Sequence, residues 1–373
     1  MCHRSPHFSL IVSAGLLAAL LVGCGGGSGS DAPGSGSGPA PSPWDPVARA
    51  LDAAFGTGTV PGIALAVYSP DGRLLFSRAR GDFAPDRNVA VASASKMVSG
   101  LAILRLVDQG FLSLDSTTGS VLGWTGPQAA ITLRQLLSFT SGLPTVFTAG
   151  SGPDCTRNAF VTLAQCVADL GVAGLAWPPG SRFEYGNTHL HVAARMAEVA
   201  TGASWATIFA QQLRQPLGWP ATVAYYTAPR QTTGTLNPLI AGGLRISMTE
   251  YAQLLGVVYN RGSHQGQRLL SAVLVEAMGR DPFPAAVTGF SPYANFGLDR
   301  EYGLTAWLEC ATPAAGCNDI TSPGAFGFTP WIDRDGGYYA ILGMEGDGFG
   351  EISEFAVRLS LDLRPLIRAA VPR

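Results

Sequence analysis

The stretch Ala92-Ser93-Ala94-Ser95-Lys96-Met97 contains the only lysine of this 373-residue chain; the other 23 of its 24 lysine and arginine side chains are arginines. Arginine stays protonated at physiological pH, whereas an ammonium taken out of water can lose its proton and act as a base. Ser93 stands three residues before Lys96, a spacing that on a helix brings both side chains to one face. A hydroxyl beside an amine that can deprotonate is a nucleophile with its activator. The apolar run over residues 96–107, closed by Gly110, predicts a buried helix. Ser93 then sits at the N-terminal edge, where the helix dipole favours developing negative charge.

Outward from this stretch, strand signals gather at the two ends of the chain. Residues 63–69 and 73–80 flank Pro70-Asp71-Gly72, and residues 326–332 and 338–344 flank Asp333-Arg334-Asp335-Gly336-Gly337. Both read as β-hairpins. Helical spacing marks residues 44–56, 189–200 and 249–260, and residues 351–367 read as a last helix interrupted at Pro365. Strands at both ends with helices between imply a mixed α/β (α+β) fold. One antiparallel sheet is built from residues 44–92 and 300–373, and a mainly helical region, residues 93–299, is inserted into it.

Only 13% of residues are charged, the formal net charge is −2, and no basic run occurs, so a nucleic-acid partner is not expected. Arg4 and the apolar residues 8–22 read as a secretion signal ending in Leu21-Val22-Gly23-Cys24, too short for a comfortable membrane span. This end resembles the lipobox of bacterial lipoproteins, which implies a signal peptide over residues 1–23 with Cys24 as the lipidated N-terminus; the alternative is a signal anchor or ordinary signal peptide in which Cys24 is incidental. The Gly/Ser/Pro-rich residues 24–43 read as a tether, and the folded body is expected over 44–373. The protein is therefore expected in a bacterial cell envelope, anchored through lipid. Cys155, Cys166, Cys310 and Cys317 remain, an even number that in an exported chain favours disulfides. Of three connectivities, the sequence-near pairs Cys155 with Cys166 and Cys310 with Cys317 are the simplest. No Cys-x-x-Cys or His-Glu-x-x-His spacing occurs, so neither metal nor cofactor is expected.

Further motifs follow in order. Leu136-Leu137-Ser138-Phe139-Thr140-Ser141-Gly142-Leu143-Pro144 precedes Pro178-Pro179-Gly180-Ser181-Arg182-Phe183-Glu184-Tyr185-Gly186-Asn187, and Ala241-Gly242-Gly243-Leu244-Arg245-Ile246-Ser247 comes later. With Ser93-x-x-Lys96 and Tyr185-x-Asn187, the chain from residue 44 resembles the serine β-lactamases and penicillin-binding hydrolases. It is closest in style to class C β-lactamases and the carboxylesterases that share their fold. Phe139 stands where that family usually has histidine. The resemblance implies the β-lactamase/transpeptidase-like fold and an acyl-enzyme on Ser93, with Lys96 and Tyr185 moving the proton. It further implies that Asn187 orients Lys96 and the acyl group, that the backbone N–H groups of Ser93 and Ala325 form an oxyanion hole, and that Ala241-Gly242-Gly243-Leu244-Arg245-Ile246-Ser247 is a further family loop. Separately, by resemblance to the sorting rule of Gram-negative lipoproteins, Gly25 rather than Asp after Cys24 implies transfer to the outer membrane, facing the periplasm.

One motif departs from the pattern. Where relatives carry Lys-Thr-Gly or His-x-Gly to hold a substrate carboxylate, this chain has Ser322-Pro323-Gly324. The glycine that admits substrate is kept and the cation is lost. The expected substrate is therefore a small, uncharged acyl ester, hydrolysed by a carboxylesterase, unless an arginine such as Arg245 supplies the charge. Loops over residues 145–180 and 280–325 are expected to set acyl preference. A β-lactamase or D-alanyl-D-alanine carboxypeptidase is the first alternative, and a non-catalytic envelope binding protein on the same fold is the second. Against the latter, a dead site has no need to keep its lysine. A Ser-His-Asp enzyme is disfavoured because Gly-x-Ser-x-Gly occurs nowhere.

Overall fold

The structure, a computed structural model, describes residues 42–148, 154–228, 234–309, 319–346 and 350–372. Five helices and seven strands position the site: α1 (Asp45–Gly56), β1 (Gly62–Tyr68), β2 (Leu74–Gly81), α2 (Ser95–Asp108), α3 (Thr188–Thr201), α4 (Met248–Tyr259), β3 (Glu301–Tyr302), β4 (Trp307–Leu308), β5 (Asp319–Thr321), β6 (Thr329–Asp333), β7 (Tyr338–Gly343) and α5 (Glu351–Ala370). The strands form one antiparallel sheet in the order β3-β4-β5-β6-β7-β1-β2. Strands from the two ends of the chain meet where β1 pairs with β7, Ala66 opposite Ile341.

The inner strand β1 reads Gly-Ile-Ala-Leu-Ala-Val-Tyr because both of its faces are covered. Ile63, Leu65 and Val67 pack with Val47 and Leu51 of α1 and Leu363 and Ile367 of α5. Ala64 and Ala66 face the other way, into the large core that contains α2 and α4. The alternation is the two-residue period of a strand, and the small alanines let the helical layer approach closely. The first hairpin turns where expected, with Gly72 at φ 86°, a conformation glycine adopts without a Cβ penalty.

Two boundaries differ from the sequence reading. Residues 326–328 form a turn, with Gly327 at φ 97°, and β6 starts only at Thr329. Helix α5 runs through Pro365 to Ala370 without interruption. Pro365 forfeits one helical hydrogen bond, but Leu359, Leu363, Ile367 and Ala370 are all buried against the sheet. Arg368, beyond the proline, is tied to Asp333 at 2.5 Å and to Asp319 at 2.8 Å. Tertiary packing here outweighs the local breaker.

The region between the strands is mainly helical and also holds a small three-stranded sheet of Val89–Ala90, Leu244–Ile246 and Ala224–Tyr225. This sheet brings the stretch before Ser93 against the segment that follows Ala241. A disulfide joins Cys155 and Cys166. Cys24, Cys310 and Cys317 lie outside the described residues. Among the described residues no helix is long and apolar enough to cross a membrane.

Candidate active site

Ser93 lies in a 3-10 turn (Ala92–Ala94) that feeds directly into α2. Ala92 has φ 44°, a left-handed conformation that a non-glycine residue keeps only when its surroundings impose it. The surroundings are polar and buried. The Ser95 hydroxyl donates to the Ala92 carbonyl at 2.6 Å and accepts from the Leu244 N–H at 3.1 Å. Tyr251 of α4 donates to the Ala94 carbonyl at 2.8 Å, and the Ser322 hydroxyl donates to the Ser93 carbonyl at 3.3 Å. The turn is thus bolted from three elements remote in sequence, which holds the Ser93 side chain at the cavity wall.

Lys96, one turn along α2, is 2% exposed. Its Nζ lies 3.0 Å from Ser93 Oγ and 2.9 Å from the Ala241 carbonyl, and 4.5 Å from the centre of the Tyr185 ring. Burial, with a smaller contribution from the Arg157 charge, lowers its pKa to about 7. An amine near its pKa at neutral pH is present in part as the free base, which an arginine could not supply.

Tyr185 follows the short strand Arg182–Phe183 and is likewise buried. Its N–H donates to the Phe290 carbonyl at 2.9 Å, and that of Glu184 donates to the Phe139 carbonyl at 2.9 Å. Its ring stacks on Trp307 at 5.3 Å and meets the Phe139 ring edge-on at 5.5 Å. Burial pushes the phenol pKa up, with hydrogen bonds to Ser93 and Trp307 opposing the rise, so Tyr185 is held as a protonated donor. Phe139 itself has φ 60° and stacks on His189 at 5.0 Å. His189 bridges the Ser141 hydroxyl and the Glu184 carbonyl, both at 2.7 Å, and burial lowers its pKa to about 4. The ring is neutral and braces the backbone that carries Tyr185. His189 and His191 thus belong to the packing of α3; among the described residues no group of three His, Cys, Asp or Glu side chains is placed to hold a metal.

These groups line a cavity of about 560 Å³, with Ser93, Lys96, Tyr185, Asn187, Pro323 and Ala325 in its wall. Asn187 donates to Thr156 Oγ1 at 3.4 Å, whereas the acceptors around Lys96 are Ser93 Oγ and the Ala241 carbonyl. The structure therefore puts Asn187 in the cavity beside Lys96 without a bond between them. Ser322 and Gly324 are absent from the wall. Ser322 is turned inward onto the Ser93 carbonyl. A Cβ on Gly324 would lie 2.1 Å from the Val91 carbonyl, so this glycine serves the approach of two backbones rather than that of a substrate. Arg245 lies over the Tyr226 ring at 4.6 Å, outside the wall. The expected loops do shape the cavity, through Val146, Phe147 and Arg157 on one side and Phe290, Phe296 and Trp307 on the other.

The sequence reading missed Arg157, Ser95, Tyr251 and the Ala241 carbonyl. Ala241 was within a quoted motif, but nothing local marks which of its atoms faces a lysine.

The family model described as Beta-lactamase matches residues 47–356. The chain belongs to the β-lactamase family. Members of this family's fold are serine hydrolases, and relatives of both esterase and penicillin-binding type are found. The chain is 34% identical over 174 residues to penicillin-binding protein 4 of Amycolatopsis lactamdurans, covering 43% of each chain. It is 29% identical over 208 residues to esterase EstB of Burkholderia gladioli, covering 47% of this chain and 53% of that one. These matches span about half the length of the curated relatives. A solved β-lactamase-like protein from Bacteroides dorei superimposes with a TM-score of 0.74 at 28% identity, covering 87% of this chain and 98% of the other.

Proposed function

We propose that this β-lactamase-family hydrolase is a carboxylesterase acting through an acyl-enzyme on Ser93. The observation that carries the reading is Ser93 Oγ at 3.0 Å from a buried Lys96 Nζ whose pKa is lowered to about 7. Ser93 Oγ bonds to the ester carbonyl carbon as its proton passes to the free amine of Lys96. The carbonyl oxygen takes the negative charge, toward the N–H groups of Ser93 and Ala325. Collapse breaks the bond to the leaving alkoxide, which is protonated by Tyr185 or by the Lys96 ammonium. Water then adds to the acyl carbon, loses a proton to the same pair and releases the acid and Ser93. Two supports favour Lys96 as the base and Tyr185 as the donor. Burial lowers the first pKa and raises the second, and groups pushed apart in this way take opposite roles.

Ester preference is supported by the mainly apolar wall, which includes the rings of Phe147, Phe290, Tyr293 and Phe296, and by the absence of a cation at position 322. The test is hydrolysis of a short-chain nitrophenyl ester, with Ser93→Ala as control and a chromogenic cephalosporin in parallel. Ester turnover that is lost in Ser93→Ala, with little cephalosporin cleavage, is the expected result. Dominant cephalosporin cleavage would move the chain to the β-lactamase and D,D-peptidase reading, which the 34% identity to a penicillin-binding protein favours. We also read the chain as an envelope lipoprotein from Leu21-Val22-Gly23-Cys24; mass analysis of the N-terminal peptide, seeking a diacylglyceryl group on Cys24, decides it.

A further inference from the structure

Phe147 and Phe290 stack on each other from two loops remote in sequence. Their ring centres are 3.7 Å apart, and both line the cavity wall with Tyr293, Phe296 and Trp307. Each is mounted on the segment that carries Tyr185. The Phe290 carbonyl accepts from the Tyr185 N–H at 2.9 Å, and the Phe290 N–H donates to Glu184 Oε2 at 3.2 Å. Phe147 rides on a turn closed on Thr145. The Thr145 hydroxyl accepts from the Phe147 N–H at 3.2 Å, and the Thr148 N–H donates to the Thr145 carbonyl at 2.9 Å. Thr145 is buried against Gly186, so closely that a Cβ on the glycine would lie 2.5 Å from Thr145 Cγ2. The glycine of Tyr185-Gly186-Asn187 thus admits the turn that presents Phe147.

Neither ring supplies a proton, an acceptor or a charge to the reaction. Phe147 is 52% exposed, which leaves apolar area for a ligand in the cavity to cover, and each methylene buried there adds about fourfold to binding. Both rings are fixed to the segment of Tyr185, so their distance from the reacting groups does not adapt to the ligand, and a preformed wall costs the ligand little ordering. The cavity of about 560 Å³ falls among pockets of about 300–1,000 Å³ that enclose drug-sized ligands, more than the shortest esters fill. We propose that the Phe147–Phe290 pair is a specificity element, the stop against which an unbranched apolar group of the ester packs and which sets how long that group can be. This rests on the ester-hydrolysis reading and narrows its substrate class to esters with an apolar group of medium length. The two arms of the test separate the acyl chain from the alcohol as the source of that group.

The test measures kcat/KM of the full chain on two series, 4-nitrophenyl esters of straight-chain acids from acetate to laurate and acetates of straight-chain alcohols from ethanol to dodecanol, each below its aggregation concentration. In at least one series kcat/KM is expected to climb by about two- to fourfold per methylene, pass a maximum and fall. Phe147→Ala is expected to raise kcat/KM for chains beyond the parent's maximum by about tenfold, moving the maximum to longer esters. Phe147→Trp moves it to shorter ones, so the inference is read from two shifts of opposite sign rather than from a loss of activity. Phe111→Ala, at an exposed phenylalanine outside the wall, leaves the maximum in place. Profiles without a maximum in either series, or a maximum that both Phe147 variants leave in place, overturn the inference and leave the esterase reading standing. Turnover of no ester in either series overturns both.

Discussion

The turn that carries Ser93 and the arm that carries Arg157 meet at one cavity and are held by opposite means. The turn is fixed without a covalent link, by buried hydrogen bonds from Ser95, Tyr251 and Ser322, and it keeps Ala92 in a strained conformation. The arm is fixed by a disulfide and by the Asn237 amide, with the Arg157 side chain half exposed and paired with Asp154. The first arrangement serves a reaction, in which atoms must be placed to a fraction of an ångström. The second borders the cavity through Arg157 and needs only approximate placement. The reacting pair is thus held by the core of the fold, and one rim of the cavity by a stapled arm.

Breaking the turn side has the larger consequences. Lys96→Arg keeps the positive charge and removes the free base, so kcat for an ester is expected to fall by at least about 100-fold. Steady-state kinetics on protein whose circular dichroism matches the parent decides this, and activity within a few-fold of the parent would remove the need for a neutral amine. Tyr251→Phe strips the buried Ala94 carbonyl of its donor. A stability loss of about 1–3 kcal/mol in urea unfolding is expected, together with a fall of about tenfold in kcat at little-changed KM, since the displaced Ser93 still sees a bound substrate. An unchanged kcat would show that the turn holds its shape without Tyr251.

Breaking the arm sharpens the contrast. Replacing Cys155 and Cys166 together by serine removes a staple across 11 residues, at a cost of about 2–3 kcal/mol. The expected kinetic effect on ester hydrolysis is only a few-fold and falls on KM, while kcat is retained. A comparable fall in kcat would mean that the arm supports the catalytic turn after all.

What was legible in the sequence follows the range of the interactions. The hairpin turns, helices α2, α3 and α4, and the pairing of Ser93 with Lys96 are local signals, set by residues within a few positions of one another. The contacts that tune the site are not. Lys96 to Ala241 spans 145 positions and Tyr251 to Ala94 spans 157, and no local pattern announces either. Ser322 shows the same limit: the sequence places it in the order of motifs, but the inward turn of its side chain depends on the Ser93 carbonyl, 229 positions away. Pro365 was read as a break because the sheet that buries α5 around it is assembled from distant strands.

The most direct measurement uses the chain's single lysine. Protein grown with lysine enriched in nitrogen-15 at Nζ gives one side-chain amine signal, and its chemical shift can be followed against pH beside kcat/KM for an ester. Because burial disfavours the ammonium, the signal is expected to pass from ammonium to amine as pH rises through about 7, with kcat/KM rising over the same interval. A midpoint near the unperturbed value of about 10.4, with activity already at its plateau below pH 7, would contradict the account of Lys96 as the base that activates Ser93.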